Sequence, residues 1–249
     1  MRHIIVVGAL VCMLCSAGFA LVPCPTNSLA FYVGTFTTAT TGCQIDDKVF
    51  YGFTDLLTAG GGASTGGVGI QVSPITTAFN PGLSYTLSGF SVGSLSSLDL
   101  KLGFDVATIS GARVIEDVSL GMAGASITGT GMVSIGENAC AGGVFSAPLA
   151  GTGCPAADQN LSLSVANPGP PATFFDMKFT SSTTACPGGL CNLVGVFKDL
   201  GVNGGSAGSA SLSSFTQQFS EVPETSSIVL LGTAFMLTSM VFRRKRAKQ

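Results

Sequence analysis

The chain has no tryptophan, three tyrosines and one histidine in 249 residues, and charged side chains make up only 10% of it. The one histidine is His3, so the stretch 21–220 contains none. That removes Ser-His-Asp and Cys-His nucleophile activation, a histidine general base and histidine-ligated zinc from the body of the chain. Without tryptophan, aromatic stacking on a sugar would fall to Tyr32, Tyr51 and Tyr85. Basic residues are scarce too. Between 21 and 220 there are five, Lys48, Lys101, Arg113, Lys178 and Lys198, against eleven acids. Nucleic acid, which is bound by neutralising phosphates, is excluded as a partner, and so is docking on anionic lipid. The glycine-rich stretch 60–67 lacks a GxGxxG or Walker pattern leading into a helix, so it reads as a flexible loop. No cofactor and no metal is expected.

Eight cysteines are present, and two of them, Cys12 and Cys15, fall in an N-terminal leader. Their CxxC spacing is therefore no redox site. The remaining six are Cys24, Cys43, Cys140, Cys154, Cys186 and Cys191. An even number in an exported chain reads as three disulfides, for which fifteen connectivities exist. Pairing in sequence order is the expectation: 24 with 43, 140 with 154, and 186 with 191. The last pair encloses Pro187-Gly188-Gly189-Leu190, a run that turns readily.

The body shows period-2 alternation and no long helical periodicity. Its clearest strand is 97–107, with Leu98, Leu100, Leu102, Phe104 and Val106 on one face and Asp99, Lys101 and Asp105 on the other. Phe175, Met177 and Phe179 likewise oppose Asp176 and Lys178. Further strands are predicted at 29–37, 48–54, 68–72, 84–90, 112–120, 126–134, 161–165, 193–200 and 207–215. Turn signals such as Asn80-Pro81-Gly82 and Asn203-Gly204-Gly205 separate them. The stretch 138–153, bracketed by two cysteines, reads as an excursion from the sheet. The fold class is all-β, an antiparallel β-sandwich of jelly-roll-like type occupying 21–220. Terminal helices are expected on either side of it.

The two ends have the organisation of an exported protein. Arg2 and His3 precede an apolar run at 4–14, and small residues place signal-peptidase cleavage after Ala20, so 1–20 is a signal peptide. At the other end, 221–249 combines a short motif, an apolar segment and a basic cluster. Ile228, Leu230, Leu231, Phe235, Leu237 and Phe242 mark a transmembrane helix, and Arg243, Arg244, Lys245 and Arg246 form its cytoplasmic stop. Val222, Pro223, Glu224 and Thr225, followed by Ser226-Ser227 and the Ile-Val-Leu-Leu-Gly-Thr-Ala run, resemble a PEP-CTERM sorting signal. Thr225 stands where that family has proline. The Val-Pro-Glu-Thr-Ser run is also similar to the Leu-Pro-x-Thr-Gly signal of sortases, which usually lacks the Leu-Leu-Gly-Thr continuation seen here. Gly42-Cys43-Gln44-Ile45-Asp46-Asp47-Lys48-Val49-Phe50 resembles an opening segment of many PEP-CTERM proteins. Phe197-Lys198-Asp199-Leu200 through Phe219-Ser220 is similar to the region such proteins place before the motif. The resemblance implies an exosortase as processing partner, a Gram-negative host and a membrane-held precursor destined for the cell surface or extracellular matrix.

Two acid pairs, Asp46/Asp47 and Glu116/Asp117, invite a glycosidase reading. Neighbours on a strand point to opposite faces, so neither pair is expected to flank one bond. Asp46, Asp47 and Asp158 are the calcium candidates, without any EF-hand pattern. The expectation is a non-enzymatic envelope or matrix protein. The alternative is a glycan-binding module associated with exopolysaccharide, with two or more tyrosines gathered in an exposed groove.

Overall fold

The computed structural model describes residues 21–109, 114–155, 159–167, 174–179 and 186–222. Alternation dictates the architecture. A strand that buries every second side chain needs a second layer to cover that face, and two sheets supply it. One sheet has seven strands, in the spatial order β1 (Val22–Pro23), β3 (Cys43–Ile45), β4 (Lys48–Gly60), β8 (Ser97–Thr108), β14 (Leu193–Asn203), β11 (Met132–Ala141) and β12 (Gln159–Asn167). The other has six: β13 (Phe174–Lys178), β9 (Val114–Ala123), β16 (Ser214–Val222), β6 (Gly82–Ser88), β5 (Gly69–Ile75) and β2 (Asn27–Ser28). A small third sheet joins β10 (Ser126–Thr128), β15 (Ser209–Ser211) and β7 (Ser91–Val92). Pairing is antiparallel except between β1 and β3. The antiparallel β-sandwich read from the sequence is the fold.

The core lies between the two large sheets. Leu98, Leu100, Leu102, Phe104 and Val106 of β8 are all buried, at the centre of the seven-stranded sheet. Phe219 of β16 reaches across from the other sheet, its ring 5.9 Å from Phe50 and 6.4 Å from Phe104. Edge-on aromatic contacts of this kind add to the burial of the rings themselves.

Several expected elements differ. Residues 29–37 were expected to be a strand, but Leu29–Thr35 is a short helix, α1. Ser28 caps it by accepting the Phe31 amide on its hydroxyl at 3.2 Å. Leu29, Tyr32 and Phe36 then fall on one buried side at spacings of three and four. A nearly continuous apolar run hid that period behind alternation. The stretch 126–134 is split by a turn into β10 and the start of β11, and 207–215 is split into β15 and β16. β11 also continues to Ala141, so the excursion begins at Gly142 rather than at 138.

Three disulfides close the pairs Cys24–Cys43, Cys140–Cys154 and Cys186–Cys191, in sequence order as expected. The middle one pins the excursion against the outer face of the seven-stranded sheet. Phe145 and Phe197 pack with Cys140 and Cys154 there as a small second core. Gly195 permits this approach: a Cβ at that position would stand 2.9 Å from the Val144 backbone.

Among the described residues, no helix is long and apolar enough to cross a membrane. The signal peptide at 1–20 with Ala20, and the expected transmembrane helix, lie outside the described residues.

Candidate functional site

The outer face of the six-stranded sheet is built from side chains at every second position of β5, β6 and β16. Their partners, including Val72, Tyr85, Leu87, Phe215 and Phe219, are buried in the core. What remains outside is uncharged and polar. Register aligns Ser28, Gln71, Thr86 and Ser214 in one row across four strands. Ser73, Ser84 and Thr216 form a second row. Adjacent strands lie about 4.8 Å apart, so each row is a regular series of hydroxyl and amide groups. Gln71, Thr86 and Ser88 are exposed. With Ser28, Gly69 and Ile70 they line a depression of about 400 Å³. At the far side of the sheet the rows give way to Asp117, whose Oδ1 accepts the Ser220 amide at 3.2 Å.

The tyrosines do not gather into a groove. Tyr32 and Tyr85 are wholly buried. Tyr32 donates to the Pro25 carbonyl at 2.5 Å, and Tyr85 stacks on Phe215 with ring centroids 4.4 Å apart. Burial pushes both phenols up from their ordinary value. Only Tyr51 is partly accessible, on the outer face of the seven-stranded sheet opposite Asp105 of β8.

That second outer face is acidic. Burial raises the Asp105 carboxyl to about 7. A bulge in β4 between Tyr51 and Thr54 causes the crowding, with Gly52 at φ +67 turned against the Asp105 carboxylate. Asp99 is raised to about 6, by burial first and then by its hydrogen bond with Asp199 on the next strand. The excursion covers part of this face.

Two lysines stand where sheet geometry calls for apolar side chains. Lys48, at the start of β4, is fully buried; its Nζ lies 2.5 Å from Asp47 Oδ1 and 2.7 Å from Glu221 Oε1. Asp46 and Asp47 sit at the turn before β4, with Asp46 at φ +52. The expected divergence of neighbouring acids therefore fails here, because a turn and not a strand carries them. Oxygens of Asp46, Asp47 and Glu221 all come within 4.8 Å of one another. The Lys48 ammonium lies against two of the three, Asp47 and Glu221, and clamps them together. Burial pushes the Glu221 carboxyl up, against the pull of Lys48.

Lys198 of β14 is the second. It lies opposite Glu137 of β11 and is hydrogen-bonded to Glu137 and to Gln217 of β16 in the facing sheet. All three are buried. Sequence reasoning missed this group, although a lysine between Val196 and Leu200 on the apolar side of a strand is a readable signal. Residues 42–50 and 197–220 meet in space, where the Phe50 ring lies against that of Phe219.

Of the expected sorting motif, Val222 is the last residue of β16 and pairs with Val114 of β9. Pro223, Glu224, Thr225, the anchor residues, the basic stop and Asp158 lie outside the described residues.

No family model matches the chain, and no curated protein matches its sequence. Solved structures that it resembles include TmCBM61 in complex with β-1,4-galactotriose, at 10% identity, covering 66% of this chain and 86% of the other, with a TM-score of 0.29. A family 11 carbohydrate-binding module from Clostridium thermocellum, in complex with a mixed-linked tetrasaccharide, gives 10% identity, 66% and 87% coverage and 0.25. The family GH12 endoglucanase 3 of Trichoderma harzianum gives 10%, 66%, 97% and 0.21. Likenesses this distant carry no argument about what the chain binds.

Proposed function

We propose that this chain is a non-catalytic, exported envelope protein that contacts neutral polysaccharide through the outer face of its six-stranded sheet. The observation that carries the reading is the pair of rows containing Gln71, Thr86 and Ser214, and Ser84 and Thr216, which present hydroxyls and amides at regular spacing without a charged side chain. Such groups exchange hydrogen bonds with sugar hydroxyls directly or through bridging water. The excess of acids over bases in 21–220 disfavours polyanions and leaves neutral chains as the fitting class. With the tyrosines withdrawn into the core, recognition rests on hydrogen bonding and not on stacking.

Export is part of the same proposal. Three disulfides fit an oxidising compartment. The PEP-CTERM-like end supports processing by an exosortase after insertion in the inner membrane, followed by release to the cell surface or matrix. Affinity electrophoresis of the exported protein tests the binding reading: migration should be retarded in gels containing neutral polysaccharide and unchanged in gels containing an anionic one. Equal mobility in all gels would reject it.

A further inference from the structure

The buried group at Lys198 has a composition that a simple ion pair does not account for. Lys198, Glu137 and Gln217 are no more than 1% exposed, and they come from three strands and both sheets. The Lys198 Nζ is within hydrogen-bond distance of the Glu137 carboxylate and of the Gln217 carboxamide oxygen. Gln217 also acts on the Glu137 carboxyl, favouring its charged form, while its Nε2 donates to the Gln218 carbonyl at 3.4 Å. The Phe215 ring lies 5.8 Å from the Nζ. Among the described residues, Glu137 Oε1 and the Tyr85 hydroxyl have no hydrogen-bond partner, an expensive state for buried polar atoms. An amine, a carboxamide and a carboxyl enclosed in an apolar core are the reactants and the acid–base catalyst of an amide exchange.

We propose that Lys198 and Gln217 are joined by an isopeptide bond, formed within the folded chain with Glu137 as the catalytic acid–base and ammonia as the leaving group. The amine nitrogen attacks the carboxamide carbon, which lies one carbonyl bond beyond the oxygen it already contacts. The Nζ–Cδ bond forms and the Cδ–Nε2 bond breaks. Glu137, starting as the acid, gives its proton to Nε2, which departs as ammonia, and takes one back from the attacking nitrogen. The carboxyl is regenerated and nothing is oxidised or reduced. Burial favours the required protonation states, pushing Lys198 down towards the free amine and Glu137 up towards the acid. Fixed strands hold the reacting groups together, which replaces a bimolecular encounter. The product bolts β14 of one sheet to β16 of the other.

Intact-mass measurement of the full exported protein, with its disulfides closed, tests this. The expected mass is that of the mature sequence with three disulfides, less one ammonia, and peptide mapping should yield a branched peptide joining Lys198 to Gln217. An unshifted mass overturns the proposal. So does ammonia loss mapped to Asn203-Gly204, where a succinimide would form, or loss of water mapped to Lys48. Gln217→Glu should form the same link with loss of water instead. Glu137→Gln should fold, with all three disulfides, and show no mass loss; a link formed at the wild-type level in that variant would overturn the role of Glu137. Should either variant fail to fold, the wild-type mass and branched peptide still decide.

Discussion

Lys48 Nζ lies 2.7 Å from Glu221 Oε1, and both side chains are shut off from solvent. A turn near the start of the domain thereby holds the end of its last strand, one residue before the expected sorting motif begins. β16, which carries Glu221, is an interior strand of the six-stranded sheet, paired with β9 on one side and β6 on the other.

Replacing Lys48 by methionine should destabilise the domain by about 3–5 kcal/mol, because it strands the Glu221 and Asp47 carboxylates without their cation. Urea denaturation at pH 7 measures this. A loss under 1 kcal/mol would show that the clamp adds little.

Stability should also depend on pH through Asp105. Its folded value near 7 lies above the ordinary carboxyl value of 3.8, so the folded state holds the proton more tightly than the unfolded chain. The stabilising contribution is complete below about pH 4 and is lost as pH rises through 7. Asp105→Asn should flatten the fall in urea midpoint between pH 4.5 and 8. An unchanged slope would contradict the assignment.

Opening the middle disulfide should free the excursion. Cys140→Ser with Cys154→Ser removes a closure with a sequence separation of 14, a loop that stabilises by about 3 kcal/mol in the chain-entropy account. Limited proteolysis should then cut within 142–153 while the sheets stay intact. Continued resistance would mean that Val144, Phe145 and Phe197 hold the excursion unaided.

The layer structure was legible because β8 alternates cleanly, and the Cys186–Cys191 pair because those cysteines flank a turn. Helix α1 was not legible: Leu29 through Val33 is apolar at nearly every position and satisfies either period, so the Ser28 cap decides. The acid cluster was hidden because Glu221 is distant in sequence from Asp46 and Asp47, and only the packing of one sheet on the other brings it there. The candidate ligand face escaped sequence reading for a related reason. Ser, Thr and Gln on separate strands become a row only once register is known. Attention to tyrosine as the sugar-facing residue pointed to side chains that the core consumes.

Deleting residues 223–249 should move the protein from the membrane fraction to the soluble periplasmic fraction, since the deletion leaves β16, which ends at Val222, whole. Retention of the shortened chain in the membrane fraction would contradict membrane anchoring through the C-terminal segment.

The most direct measurement of the account is a pair of binding isotherms for a neutral polysaccharide, using variants on the two outer faces. Removing hydrogen-bonding groups on the six-stranded sheet, by Gln71→Ala with Thr86→Val and Thr216→Val, should weaken binding about tenfold or more, at about 0.5–1.5 kcal/mol per lost bond. Tyr51→Phe with Lys101→Ala, on the seven-stranded sheet, should leave it unchanged. The opposite pattern, or no binding by the unaltered protein, would contradict the account.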